Sequence, residues 1–407
     1  MKQGILSGIK VVDFTQALAG PYCTQLLADF GADVIKVERP GSGDQSRGWG
    51  PPFLGTESAY FLGTNRNKRS IALELGTEGA RPVLDRLVRN ADVLVQNIPR
   101  ASSRRKLGID ADQVMAVNPA LVWVSISGFG MSGPEAEKPG YDVIAQAMSG
   151  TMALTGEPGS GPMRFPTPMA DITSALYATI ATLAALYERK ESGQGQVVDM
   201  ALLDGQATWL ANVASSYLAT GNPPTKRGNA HPNIAPYQPF TAADGRLILA
   251  VGTERLWERF TSVVPDGAAL AEDARFRTNA DRVAHREELE AEINRRLSED
   301  NVAGWLEKFA EKAIPCGPIL SPEQALEHPQ LLARDMVVRV SHPTAGDVSI
   351  LGNPMKLSRT PTVDPAPAPR LGEHSGAILS ELGFSDSEHE KLQQDGVVSE
   401  PDRSEPD

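Results

Sequence analysis

Apolar and polar positions change period several times along the chain, and each change marks an element. "GIKVVDFT" is a near-continuous apolar run and predicts a buried strand. "GPYCTQLLADFG" follows as a short helix, with Gly31 where a glycine past a helix C-terminus belongs. "ADVIKVERP" predicts a second strand. The grammar then repeats: "GARPVLDRLVRNA" as a helix, "DVLVQN" as a strand, "VMAVNP" as a helix end and "LVWVSISGFG" as a strand. Strands alternating with helices predict an α/β fold with a mostly parallel sheet covered on both faces. Ligands of such sheets gather at the carboxyl ends of the strands. Those ends are residues 15–19, Glu38 and Arg39, Asn97, and residues 127–130. No G-x-G-x-x-G follows the first strand, which weakens a nicotinamide or flavin dinucleotide reading.

Further on, Leu176, Ile180, Leu183, Leu186 and Tyr187 recur at helical spacing and predict an amphipathic helix of about five turns. "GNPPTKRGNAHPNIAPYQPF" is rich in Pro, Gly and Asn and marks a boundary. Beyond it "GRLILAVG" predicts a strand, and residues 254–312 read mostly as helix, so the middle block is expected as a smaller α+β domain. The stretch from "HPQLLARDM" to "LSRTP" reads as strands with turns, and "PTVDPAPAPR" as an extended linker. "HSGAILSELGFSDSEHEKLQQDGVV" reads as helical, and "SEPDRSEPD" as a disordered tail.

At 407 residues the chain suggests two domains, and 41% hydrophobic with 22% charged residues suits a sizeable core in a soluble protein. A net charge of −12 argues against a general nucleic-acid or anionic-membrane partner, so an anionic ligand needs a local cationic patch. Two cysteines, Cys23 and Cys316, fit free thiols in a reducing cytoplasm. The N-terminal stretch lacks the pattern of a signal peptide, and the apolar segments are amphipathic or broken by Gly and Pro, so no membrane span is expected.

Candidate chemistry centres on Asp171, the lone acid opening the long apolar segment "MADITSALYATIATLAALYERK". An acid there accepts hydrogen bonds from exposed N–H groups, and spacing alone favours that helix cap. The alternative is a carboxylate nucleophile with helix N–H groups at hand for an oxyanion. Six histidines show no metal spacing, and neither H-E-x-x-H, C-x-x-C nor G-x-S-x-G occurs, so no metal is expected. "GEPGSGP" lacks the lysine and preceding strand of a phosphate cradle. Two basic clusters, "NRNKRS" with Arg66, Lys68 and Arg69 and "RASSRRK" with Arg100, Arg104, Arg105 and Lys106, read either as solvated surface or as a site for a phosphorylated ligand.

Several long blocks together resemble the class III CoA-transferases, the family that includes formyl-CoA transferase and carnitine CoA-transferase. They are "VVDFTQALAGPYCTQLLADFGADVIKVERPGSGD", "YFLGTNRNKRSIAL", "ADVLVQN", "NPALVWVSISGFG", "PGYDVIAQAMSG", "MADITSALYATIATLAALYERKESGQGQVVDMAL" and "LGEHSGAILSELGF". The resemblance implies a doubly wound, Rossmann-like large domain from both ends of the chain, residues 1–200 and 330–407, a linker at 201–225, a small α+β domain at 226–329, and an interlocked homodimer. It places the catalytic carboxylate on Asp171 and CoA contacts on Leu18, Ala19, Arg39, Leu73, Asn97, Arg105 and Tyr141. "NIPRASSRRKLG" departs from the family's spacing, so Arg104 or Lys106 competes with Arg105 for the CoA phosphates. The implied reaction moves CoA between acyl groups through an aspartyl anhydride and an aspartyl-CoA thioester. It takes a CoA thioester and a small carboxylate as substrates and needs no resident cofactor or metal.

The rival resemblance is to α-methylacyl-CoA racemases, which have "PGHD" where this chain has "PGYD". Tyr141 stands in the place of their proton-shuttling histidine, and an ordinary tyrosine titrates near pH ~10, which favours the transferase. Formyl-CoA transferases resemble a chain with Gln in place of Leu18 and a glycine-rich loop in place of "LAVGTERLW". "AVGTER" is similar to members using succinyl-CoA, which implies a succinyl-type donor and a four- to six-carbon acid as acceptor. Arg164 and His231 are candidates for a distal carboxylate.

Overall fold

The computed structural model describes residues 4–401. The alternating N-terminal pattern becomes β1 (Lys10–Phe14), α1 (Ala19–Asp29), β2 (Asp33–Glu38), β3 (Lys68–Leu73), α2 (Ala80–Asn90), β4 (Val93–Gln96), α3 (Ala101–Leu107), β5 (Val122–Ser127), α4 (Asp142–Met148), α5 (Met169–Ser192) and β6 (Val197–Ala201). Further along come β7 (Tyr237–Thr241), β8 (Arg246–Ala250), β9 (Cys316–Pro318), β10 (Val337–His342), β11 (Gly346–Leu351), α6 (Ser375–Glu381) and β12 (Val398–Ser399).

The chain divides into two units. The first comprises Met1–Met152, Arg164–Ala214 and Pro329–Asp407; the second comprises Ala153–Met163 and Ser215–His328. In the first, seven strands stand in the order β12-β3-β2-β1-β4-β5-β6. Every neighbouring pair is parallel except β12 with β3. The order reverses between β1 and β4, so the crevice of a doubly wound sheet opens above those two strands. Side chains alternate as a strand requires. Val12 joins a core with Leu84, Leu87, Trp123 and Leu379 on one face; Val11 joins Cys23, Leu27, Ala175 and Ala178 of α1 and α5 on the other. Gly31, at φ +95°, ends α1 as its sequence implies.

The basic cluster "NRNKRS" is neither solvated surface nor a phosphate site. It opens β3, a strand that its charge concealed from sequence. Arg66 is buried and forks onto Asp29 at 2.8 and 2.6 Å, Lys68 reaches Asp13 at 3.0 Å, and Arg69 reaches Asp33 at 2.7 Å. Two further pairs join Lys36 to Asp44 at 2.8 Å and Arg47 to Glu38 at 2.7 Å. These charges are buried because each has a partner and further hydrogen bonds.

The proline-rich stretch expected as an extended linker is fastened to the first unit at three points. Val363 donates to the Asp29 carbonyl at 2.9 Å, Ala366 donates to the Asn67 side chain at 2.6 Å, and the Pro369 carbonyl accepts from Arg47 at 3.0 Å. The expected disordered tail begins as edge strand: Ser399 pairs with Ala72, and its carbonyl accepts from Ser375 Oγ at 2.8 Å. Residues 402–407 of that tail lie outside the described residues. Residues 201–225, expected as a linker, carry helices Leu202–Ala207 and Ala211–Thr220. The second unit holds a three-stranded antiparallel sheet, β9-β8-β7, whose core gathers Phe240, Leu247, Trp257, Phe260, Trp305 and Phe309 beside its helices.

Candidate active site

Within the first unit a cavity of about 290 Å³ opens at the switch point. Its floor is the end of β1 and β4, with Phe14, Gln16 and Asn97. Leu18 and Ala19 start α1 on one side, while Ser127, Gly128, Gly140 and Tyr141 stand on the other, with Asp171 of α5 and Gln45 completing the wall.

The loop after β1 is held at nearly every backbone group. Thr15 donates its N–H and hydroxyl to Asp13 Oδ1 at 2.8 and 2.5 Å, and its carbonyl accepts from Lys36 Nζ at 2.8 Å. Gln16 donates its N–H to Asn97 Oδ1 at 3.1 Å and accepts from Asn97 Nδ2 at 2.8 Å. Ala17 donates to Asp44 Oδ1 at 3.1 Å. These ties hold Ala17 at φ +68°, a region that costs an alanine about 1 kcal/mol. Opposite, Gly128 and Gly140 touch backbone to backbone. A Cβ on either would lie 2.6 Å from the other's Cα, so the segment carrying Tyr141 rests on the end of β5.

Asp171 is not the cap that spacing favours. Pro168 occupies the N-cap position of α5 with no side-chain bond, and Asp171 lies in the first turn. The cap comes from another element: Asp142 Oδ1 accepts the Ala170 N–H at 2.8 Å, while its Oδ2 accepts from Gln146 at 2.7 Å. Met169 and Ile172 donate to the carbonyls of Thr167 and Pro168 at 2.9 and 3.1 Å. The start of α5 therefore has fewer N–H groups for an oxyanion than its sequence suggests. Uncommitted amides remain at both helix starts: among the described residues the Asp171 N–H of α5, and the Ala19 and Gly20 N–H groups of α1, which has no side-chain cap, donate to nothing.

The Asp171 carboxylate itself accepts no hydrogen bond among the described residues. Burial, and then the charge of Asp142, pushes its pKa up to about 7. Burial and the charges of Asp171, Asp142 and Asp44 likewise push Tyr60 up to about 12. A partly buried carboxylate without donors is held poorly as an anion and is correspondingly reactive once ionised.

Of the residues singled out by sequence, Leu18, Ala19, Asn97, Tyr141 and Asp171 meet at the cavity. Asn97 spends its side-chain amide on Gln16, so it braces the loop. Arg39, Leu73 and Arg105 stand elsewhere. Arg39 is exposed and pairs with Glu74 at 3.2 Å, Leu73 is buried in the sheet, and Arg105 is exposed beside Asp110 at 3.2 Å. Lys106 is exposed too, whereas Arg104 is buried and holds Asp110 and the carbonyls of Ile98 and Pro99 at 2.7 to 2.9 Å. Arg104 thus clamps a loop that lines the cavity. Arg164 is exposed and outside the lining, and His231 belongs to the second unit. Gln45 carried no sequence signal, and Asp142 entered only as the last residue of the "PGYD" motif, with no role; only the fold brings them to the cavity of Asp171. Among the described residues no group of His, Cys, Asp or Glu is placed to hold a metal.

Fold and cavity define an α/β protein with a large, mostly parallel sheet and a cavity at its switch point, where ligands of such sheets gather. The chain belongs to CoA-transferase family III, whose family model matches residues 6–375, and it is a class III CoA-transferase. It is 43% identical over 383 residues to the succinate–glutarate CoA-transferase of Agrobacterium fabrum, covering 93% of this chain and 95% of the relative. It is 37% identical over 397 residues to the succinyl-CoA:glutarate CoA-transferase of Mus musculus, covering 97% and 90%. A CAIB/BAIF family protein from Brucella suis, known by crystal structure, superposes with a TM-score of 0.83 at 41% identity, covering 94% of this chain and 100% of that one.

Proposed function

We propose that the enzyme moves CoA from succinyl-CoA to a four- to six-carbon carboxylic acid, with Asp171 as nucleophile. One observation carries the role of Asp171: its carboxylate faces the switch-point cavity with no hydrogen bond among the described residues and a pKa of about 7. The names of the relatives from Agrobacterium fabrum and Mus musculus support the choice of donor and acceptor.

The carboxylate oxygen attacks the thioester carbonyl, and CoA leaves as thiolate. The mixed anhydride then accepts the thiolate at the aspartyl carbonyl, which forms aspartyl-CoA and frees succinate. The incoming carboxylate attacks the aspartyl thioester, and the same two steps run backward. Each step exchanges one acyl bond for another, so the cycle needs neither ATP nor a metal. The free N–H of Ala19, a residue of the cavity wall, supports a role in receiving oxyanion charge. Tyr141 lies at the mouth and no histidine lines the cavity among the described residues, so no feature favours proton exchange by a racemase.

The reading includes a homodimer in the cytoplasm, with no nucleic-acid or membrane partner. Leu176, Tyr177, Ile180 and Tyr187 form an exposed apolar stripe on α5, which supports a second copy as its cover. That helix has the length and composition to cross a membrane, but half of it is buried within the protein. Intact-mass analysis of enzyme quenched in turnover with succinyl-CoA tests the mechanism. A covalent CoA adduct on the Asp171 peptide, absent from Asp171→Ala, is expected. Full transfer by Asp171→Ala would sink the proposal.

A further inference from the structure

The turn after β2 is fixed far more firmly than an exposed turn requires. Asp44 pairs with Lys36 at 2.8 Å, both side chains fully buried, and its Oδ1 accepts from Ala17 N–H, Ser46 N–H and Ser46 Oγ at 3.1, 2.9 and 2.8 Å. The Asp44 N–H donates to Glu38 Oε2 at 3.0 Å. Arg47 forks onto Glu38 at 2.7 and 2.8 Å and also holds the Pro369 carbonyl. Between these committed residues stands Gln45. It is exposed, it lines the cavity that holds Asp171, and its side-chain amide makes no hydrogen bond among the described residues.

We propose that Gln45 is a specificity residue whose amide N–H binds the distal carboxylate of a dicarboxylic acyl group or acceptor. The inference rests on the transferase reading and deepens it. No lysine or arginine lines this cavity among the described residues, the Asn97 amide is spent on Gln16, and Asp171 is reserved for the acyl group. A carboxylate seated there needs a donor, and Gln45 offers one on a turn that does not yield. A neutral amide also leaves no unpaired buried charge when the site is empty. Aliphatic monocarboxylic acids have nothing to offer it.

The test compares glutarate with valerate, of equal chain length, as acceptors at saturating succinyl-CoA. Gln45→Leu is expected to raise the KM for glutarate about tenfold or more, with kcat little changed and valerate unharmed, because a hydrogen bond to a charged group is lost. Gln45→Glu should lose glutarate transfer by like-charge repulsion, and Gln45→Asn should recover part of the preference. An unchanged glutarate-to-valerate ratio in Gln45→Leu overturns the inference, as does an equal loss for both acids. A ratio that moves instead with Gln16→Leu also overturns it. Failure of the parent reading is separate: the wild-type chain would then pass CoA to no acid at all.

Discussion

Asp171 is governed by what surrounds it. Its pKa of about 7 lies above the ordinary 3.8 because burial and Asp142 both oppose its charge. In the proposed reaction the nucleophile is the anion, so kcat/KM should climb with pH through about 7 and level off above it. In Asp142→Asn the amide oxygen still caps α5, but the negative charge is gone, and the midpoint of the pH–rate profile should move down. The same shift acts on stability with a definite sign. The folded state holds the Asp171 proton more tightly than the unfolded chain, so stability is lost as pH rises from about 4 through about 7. Asp171→Asn should therefore raise the melting temperature at pH 8, by about 1–3 kcal/mol of stability, and change little at pH 4. Calorimetry at both pH values checks this. The sequence drew attention to Asp171 and led spacing to a cap. The actual cap, Asp142, lies 28 residues from Ala170, a separation no local pattern spans.

At the scale of elements, the loop between β1 and α1 is shaped by side chains from other elements. Asn97→Ala removes both bonds to Gln16 and should raise the KM for the CoA substrate while costing about 1–2 kcal/mol of stability. Asp13→Ala is a different case. It strands Lys68, which burial has already brought down to about 8, and takes a counter-charge from Lys36. A loss of about 3–5 kcal/mol, read by denaturant unfolding, is expected. Strands β1, β2, β4 and β5 were legible as apolar runs, and α1, α2 and α5 as periodic segments. β3 was not, because its first residues are Lys68 and Arg69. A strand is apolar by pattern only where its buried positions are apolar, and here the partners of those charges lie on α1, β1 and β2.

For the whole molecule, the alternating pattern predicted the mixed α/β architecture, and the long matching blocks identified the family. What they left out is how remote segments fasten together, as Pro369 does to Arg47 and Ser399 to Ala72. The proposed dimer makes a direct prediction at this scale. Ile180→Asp places a charge in the exposed stripe of α5, and light scattering after size exclusion should show loss of a species twice the chain mass of 43.6 kDa. A wild-type chain that runs as a monomer would remove the dimer from the reading. The edge strand β12 bears on how the protein is made. Translation delivers β3 early, but the segment that covers its outer edge emerges only after the second unit has been synthesised. Throughout that interval the nascent sheet presents the Ser70 and Ala72 amides, whose partners His374 and Ser375 are still to be made, the kind of open edge that invites association with another chain. A chain cut short before Gly372 would hold most of its core with that flank of β3 unguarded, a natural client for chaperones.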